Sequence, residues 1–298
     1  MKPRPDKTDQ PPARAARARK APVLEPATLS EFSGVRYLHL GTPWVQGAMR
    51  IRKPQAIELE YVQRMLAWLL LRPEAESDAA DAWQAVRALQ FGLGSATITR
   101  FCHATMGMPT CAVEINRSVI DACRLWFALP GDGERLQVIE ADAASWASDP
   151  AHRASADVLC VDLYDHDAAS PALDSADFYR DCAALLARDG VMTVNLFGRD
   201  ASFEASAARI AAAFPSGAVK SLRPTREGNT IVIALRDAQW PPAQVLAQRA
   251  DNIEARTRLP ARKWLRMLRA LPATASDAGP TGDAASAAPA AESGRTGT

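Results

Sequence analysis

The sequence predicts an α/β fold: a mostly parallel, seven-stranded sheet covered by helices, preceded by a short N-terminal β region. Two observations lead there. Short continuous apolar runs recur along the chain, and each is followed by a segment with apolar residues every three or four positions, the alternation of a parallel sheet buried on both faces. The chain is also large and apolar enough, at 298 residues and 48% hydrophobic, to bury a substantial core.

The ends read differently. Residues 1–28 are rich in Pro, Ala, Arg and Lys, and 271–298 are almost wholly Ala, Ser, Gly, Thr and Pro. Neither offers enough apolar surface to offset chain entropy, so both are expected to be disordered tails, the first of them basic. Between them, 29–80 is expected to hold a β-hairpin and a helix, and 81–270 the main domain. "VRYLHLG" and "WVQGAMRI" alternate around Gly-Thr-Pro, as hairpin strands do. Leu59, Val62, Met65, Leu66, Leu69 and Leu70 then follow helical spacing.

From there strand and helix alternate. "AVRALQFG" leads into "SATITRFCHATM", "TCAVEI" into "RSVIDACRLWF", and "LQVIEAD" into "AASWASD". "ADVLCVDLY" precedes "ADFYRDCAALLA", and "GVMTVNLFG" precedes "ASFEASAARIAAAF". "AVKSLRP" and "GNTIVIAL", joined through a Gly228-Asn229 turn, add an antiparallel edge. A basic helix over 242–270, interrupted at Pro260, closes the domain. Its Trp264, Leu265 and Leu268 are expected to pack on the domain itself rather than dock a partner.

Composition narrows the function classes. Lys plus Arg number 35 against 34 Asp plus Glu, so a net charge of +1 provides no global attraction to nucleic acid or to an anionic membrane. The five cysteines contain no CxxC pair and lie in apolar stretches, which argues for buried thiols in a reducing compartment and against zinc. No run reaches the roughly 18 apolar residues of a membrane span, and the basic start lacks the apolar core of a secretory signal. The expected location is cytoplasmic. His39, His103 and His152 are scattered without ligand or triad spacing and are read as structural.

In a parallel sheet, ligands bind beyond the carboxyl ends of the strands. Gly92 and Gly94 follow the first main strand and precede a helix, where missing side chains let a ligand approach the backbone. Glu114 ends the second strand, close to the spacing at which a carboxylate accepts ribose hydroxyls. Thr97 stands where an NAD site would carry Gly or Ala, which demotes NAD. Asp142 follows the third strand, where an ionised carboxylate can accept from an exocyclic amine. Asp162, Asp165 and Asp167 crowd the end of the fourth strand in "CVDLYDHD". The set resembles the nucleoside-binding layout of the Rossmann-like AdoMet-dependent methyltransferase fold.

From about 46 to 235 the chain resembles the spermidine synthase (polyamine aminopropyltransferase) family, in its bacterial spermidine synthase-like branch. The residues that carry the resemblance are "GLGS", Glu114-Ile115-Asn116, Asp142-Ala143 and Asp162-Leu163-Tyr164-Asp165, in family order and spacing. The resemblance implies that Gln46, Gly92, Gly94, Ser95, Glu114, Asp142 and Ala143 hold the nucleoside, with Glu114 on the ribose and Asp142 toward the adenine amine. It implies Asp162 as the base that helps deprotonate the attacking amine, and Asp165, Tyr164 and Asp167 around the polyamine. Tyr61 falls near a family tyrosine. Ser95 stands where the family has an aspartate, His166 where it has a proline, and the N-terminal β region is shorter than usual.

The chemistry suits these acids. An alkylamine with a pKa near 10.4 is protonated at neutral pH and needs a base before it can attack carbon. The acids are therefore expected to face a cation rather than a metal, although His166 among them leaves a hard-cation site open. The implied reaction transfers an aminopropyl group from decarboxylated AdoMet to an amine such as putrescine, with no prosthetic group. The implied partners are a polyamine and an AdoMet-type nucleoside, not a membrane or a nucleic acid, with a homodimer as the candidate assembly. Two other readings stand beside it: an AdoMet-dependent methyltransferase, which Ser95 favours, and a non-catalytic nucleoside- or partner-binding protein.

Overall fold

The chain opens with a small antiparallel sheet in the order β1-β2-β3, formed by Ala27–Phe32, Val35–Leu40 and Gly47–Arg50. These strands belong to a computed structural model that describes residues 24–77, 79, 81–163, 173–197, 201–215 and 217–271. The expected hairpin is thus three-stranded. Its first strand begins at Ala27, inside the stretch read as a tail, and pairs Ala27 through Phe32 with Leu40 back to Val35.

Helix α1 (Glu60–Met65) follows and tightens into a 3-10 segment, Leu66–Leu71, in which every side chain is buried. The reason is local: "LAWLLL" is apolar on all sides and has no polar face to keep at the surface. Trp68 within it meets Trp83 edge to face, with ring centroids 5.8 Å apart.

Among the described residues the main sheet has eight strands, one more than expected. The strands after β3 are β4 (Ala88–Phe91), β5 (Thr110–Glu114), β6 (Leu136–Glu140), β7 (Ala156–Val161), β8 (Leu186–Phe197), β9 (Val219–Leu222), β10 (Asn229–Leu235) and β11 (Leu268–Ala270). They lie in the order β11-β9-β10-β8-β7-β4-β5-β6. Pairings from β8 through β6 are parallel, and those involving β9, β10 and β11 are antiparallel. The additional strand is β11, three residues directly after the last helix, where the sequence continued helical spacing.

The connecting helices are α2 (Thr97–Arg100), which continues as a π-helical turn through Thr105, α3 (Arg117–Trp126), α4 (Ala143–Ser148), α5 (Ala176–Leu185) and α6 (Ala201–Ala213). Helices α7 (Ala243–Thr257) and α8 (Ala261–Met267) break at Pro260, where a proline cannot continue the helical hydrogen bonds. Trp264 of α8 is fully buried in the main core, so this basic helix packs on its own domain as expected.

Cys102, Cys123, Cys160 and Cys182 are buried free thiols, with Cys111 partly buried. Burial pushes Cys111 up to about 11 and Cys160 up to about 12, so these groups remain protonated at neutral pH. Among the described residues no helix is long and apolar enough to cross a membrane.

Candidate active site

The parallel strand order places the ends of β4, β5, β7 and β8 on one rim of the sheet, where ligands of such sheets bind. Gly92 leaves β4 with φ +80°, and a Cβ there would stand 2.1 Å from the carbonyl oxygen of Asp162. Only glycine lets the two loops approach this closely. Gly94 also takes a positive φ of 50°, with the Gln46 carbonyl 3.1 Å from where its Cβ would lie. Below the loop, the buried Arg100 guanidinium donates to the carbonyls of Ser95, Phe127 and Pro54, tying the loop to α3 and to the N-terminal segment. With no carboxylate partner in that environment, burial depresses its pKa to about 10.

Glu114, at the end of β5, is only 9% exposed. Its Oε2 accepts the Leu93 amide and its Oε1 the Asn116 amide, each at 2.8 Å. These bonds favour the carboxylate, but burial is the larger effect and raises its pKa overall. The Ile115 amide adds a third backbone hydrogen bond, and since an ionised carboxylate has about four acceptor sites, about one remains. Asn116 caps α3 by accepting from Ser118 N and donates to the Glu25 carbonyl, binding the chain's first described turn to this rim.

Asp162 follows β7. Its Oδ1 accepts from Asn195 Nδ2 at 2.9 Å, and the Tyr61 side chain makes a second hydrogen bond to it. Desolvation outweighs both bonds and raises its pKa above the ordinary carboxylate value. Asn195 in turn accepts from Asn229 Nδ2 at 3.1 Å, and the Asn229 amide donates to Thr225 Oγ1 at the same distance. The acid is therefore held by a chain of polar groups running across β8 to β10.

These groups open onto a cavity of about 640 Å³. One wall comes from the N-terminal sheet and its β2–β3 loop, with Leu38, Leu40, Trp44 and Gln46; the other comes from the main-sheet rim, with Gly92, Gly94, Glu114, Asp162 and Asn195. The Gln46 Nε2 atom is buried and has no hydrogen-bond partner among the described residues, a donor without an acceptor at the cavity edge. Apolar side chains with a few convergent polar groups are the usual make-up of a small-molecule site.

Gln46, Gly92, Gly94, Glu114 and Asp162 thus come together from four separate stretches of sequence. Ser95, Asp142 and Ala143 do not join them in the wall of this cavity. Ser95 is 4% exposed, and its hydroxyl turns toward β3, where Gly47 packs against it, bonding the Ala48 carbonyl and Thr97 Oγ1. Asp142 caps α4, its Oδ1 accepting both the amide and the hydroxyl of Ser145, and Ala143 is buried behind it. Tyr164, Asp165 and Asp167 lie outside the described residues. Asn195, Phe197, Glu227 and Asn229 were not singled out from sequence, although the Gly228-Asn229 turn was visible.

A polyamine aminopropyltransferase from Chromobacterium violaceum is 31% identical over 248 residues, covering 80% of this chain and 89% of that protein. The chain belongs to the polyamine aminopropyltransferase family. No family model matches it. Membership makes the chain a transferase and favours aminopropyl transfer over methyl transfer or a catalytically quiet pocket. In fold, it is similar to a probable spermidine synthase from Corynebacterium glutamicum, with a TM-score of 0.61 at 18% identity, covering 76% of this chain and 83% of that one. A spermidine synthase in complex with the transition-state analogue AdoDATO gives a TM-score of 0.51 at 16% identity, covering 78% and 85% of the two chains. The polyamine aminopropyltransferase fold, a Rossmann-like methyltransferase sheet with a small β region ahead of it, is the one observed here.

Proposed function

We propose that the cavity binds decarboxylated AdoMet beside an amine such as putrescine and that Asp162 serves as the base for aminopropyl transfer. The observation that carries this reading is Asp162 itself: a desolvated carboxylate with a raised pKa, fixed by Asn195 and Tyr61, on the cavity wall next to the glycine loop. A base needs a pKa moved toward the operating pH, and burial moves Asp162 in that direction.

The chain's own residues divide the work. The remaining acceptor site of Glu114 suits a ribose hydroxyl, the glycine loop admits the nucleoside to the backbone, and the Gln46 amide, unpartnered among the described residues, offers it a donor. Asp142 toward the adenine amine, with Ala143 and Ser95 nearby, remains the family's assignment, as do Asp165, Tyr164 and Asp167 around the polyamine. Asp162 takes a proton from the ammonium, directly or through water. The freed nitrogen lone pair forms a bond to the methylene next to the sulfonium, the C–S bond breaks, and its electron pair stays on sulfur. The products are methylthioadenosine and the extended amine. Holding the amine in line with that C–S bond supplies much of the remaining rate.

The test is direct. Purified protein given decarboxylated AdoMet and putrescine should release methylthioadenosine and spermidine in equal amounts. No product from putrescine or from other di- and triamines would sink the reading. Methylated amine formed from AdoMet would instead support the methyltransferase alternative. A cytoplasmic location suits these small, soluble substrates.

A further inference from the structure

We propose that one water molecule sits in a small space beside Asp162 and joins it to Gln46, which makes Gln46 a positioning residue for the base; the inference rests on the aminopropyl-transfer reading above. The space measures about 10 Å³ and is distinct from the large cavity. It is bounded by Gln46 just before β3, by Tyr61 and Val62 of α1, by Ser95 and Thr97 after the glycine loop, and by Asp162 after β7. A buried water needs about 10–15 Å³ for its centre and two to four polar partners. The space therefore has the size of one water and admits no larger guest.

The polar partners are in place. Gln46 Nε2 is buried and has no acceptor among the described residues, so it does not reach Asp162 directly. Asp162 accepts from Asn195 and Tyr61, which leaves about two of the roughly four acceptor sites of a carboxylate. The Ser95 hydroxyl, bonded to the Ala48 carbonyl and to Thr97 Oγ1, keeps one acceptor lone pair. A water between them accepts from Gln46 and donates to Asp162 and Ser95, three bonds in all. The Gln46 amide has two N–H groups, so the second stays available to the nucleoside.

Such a bridge has a consequence for the base. A bridging water is nearly as good as a direct hydrogen bond, and one that donates to a carboxylate favours its ionised form. Through it the N-terminal segment restrains Asp162 from the side opposite to the bond from β8. The titratable groups around Asp162 are Tyr61 on α1, Cys160 in β7, Glu114 after β5 and Glu227 in the turn before β10. Among the described residues no Lys, Arg or His lines either space. Removing the water leaves all of these groups in place, so its effect on Asp162 can be read separately.

The experiment joins a high-resolution crystal structure of the wild type to pH profiles of kcat, at saturating decarboxylated AdoMet and putrescine, for wild type, Gln46→Leu, Val62→Ile and the double variant. Electron density should show a water within about 3 Å of both Gln46 Nε2 and an Asp162 oxygen. Gln46→Leu removes the donor, whereas Val62→Ile pushes a methyl group into the space and expels the water with Gln46 intact. Each should move the acidic limb to higher pH by about one unit, and the double variant should move it no further than either single change. Density without that water, an acidic limb unmoved by both single changes, or shifts that add in the double variant overturns the inference while leaving the transfer reaction in place. A wild type inactive on every amine fails one step earlier, at the function itself, and removes the inference with it.

Discussion

Asn195 Nδ2 donates to Asp162 Oδ1 across 2.9 Å, a bond from β8 to the residue just beyond neighbouring β7 that fixes the direction in which the acid presents its other oxygen. If Asp162 is the base, Asp162→Asn should lower kcat by about 10² to 10⁴ while leaving methylthioadenosine affinity largely intact. Single-turnover kinetics with isothermal titration calorimetry separates the two. A kcat within a few-fold of wild type would remove Asp162 from the chemistry.

The same substitution should stabilise the protein at neutral pH. A carboxyl whose folded pKa is raised binds its proton more tightly when folded, so its charged form costs stability once the pH exceeds the unfolded value. Asp162→Asn is therefore expected to melt above wild type near pH 7, and the gap should narrow as the pH falls toward the ordinary aspartate value of 3.8. Melting curves across that pH range decide it.

Tyr61→Phe removes a hydrogen bond that favours the ionised form of Asp162. Its pKa should then rise further, moving the acidic limb of the kcat/KM profile to higher pH while the plateau above it changes less. A profile that drops evenly at every pH would assign Tyr61 a packing role instead.

Glu114→Gln replaces two acceptor oxygens with one acceptor and one donor. Its new N–H₂ group would then face the Leu93 or the Asn116 amide, leaving a buried donor unsatisfied at a cost of about 1–3 kcal/mol. Thermal unfolding should show that loss, and calorimetry should show weaker methylthioadenosine binding.

Gly92→Ala tests the approach of two loops. The added Cβ would lie 2.1 Å from the Asp162 carbonyl oxygen at a positive φ, so the glycine loop and the Asp162 backbone must separate. Both stability and ligand affinity should fall, whereas Gly131→Ala, at a glycine with open space around its Cβ position, should change neither appreciably.

The main sheet was legible because buried parallel strands are short apolar runs with nothing else to be. Val158, Leu159, Cys160 and Val161 could not belong on a surface, and the acid after them marked the rim. Strand β1 was not legible: five of its six residues are exposed, so it shows no alternation. Ser95 and Asp142 were assigned by position in a motif, and position does not tell which way a side chain turns. The contact of Gly47 with Ser95 and the cap on Ser145 decide that in three dimensions. Glu227 escaped notice because no local pattern places the turn of one strand pair beside the loop of another. That relation follows from the antiparallel direction of β10, which "GNTIVIAL" predicted without saying which rim it would reach.

The cavity is walled by two separate sheets, so whatever fills it acts as mortar across their seam. An occupant at one hundred times its dissociation constant adds about 2.7 kcal/mol to the folded state. In this molecule that gain would fall on the joint between the Trp44 loop and the rim, which should exchange its amide hydrogens faster when empty and slow markedly on saturation.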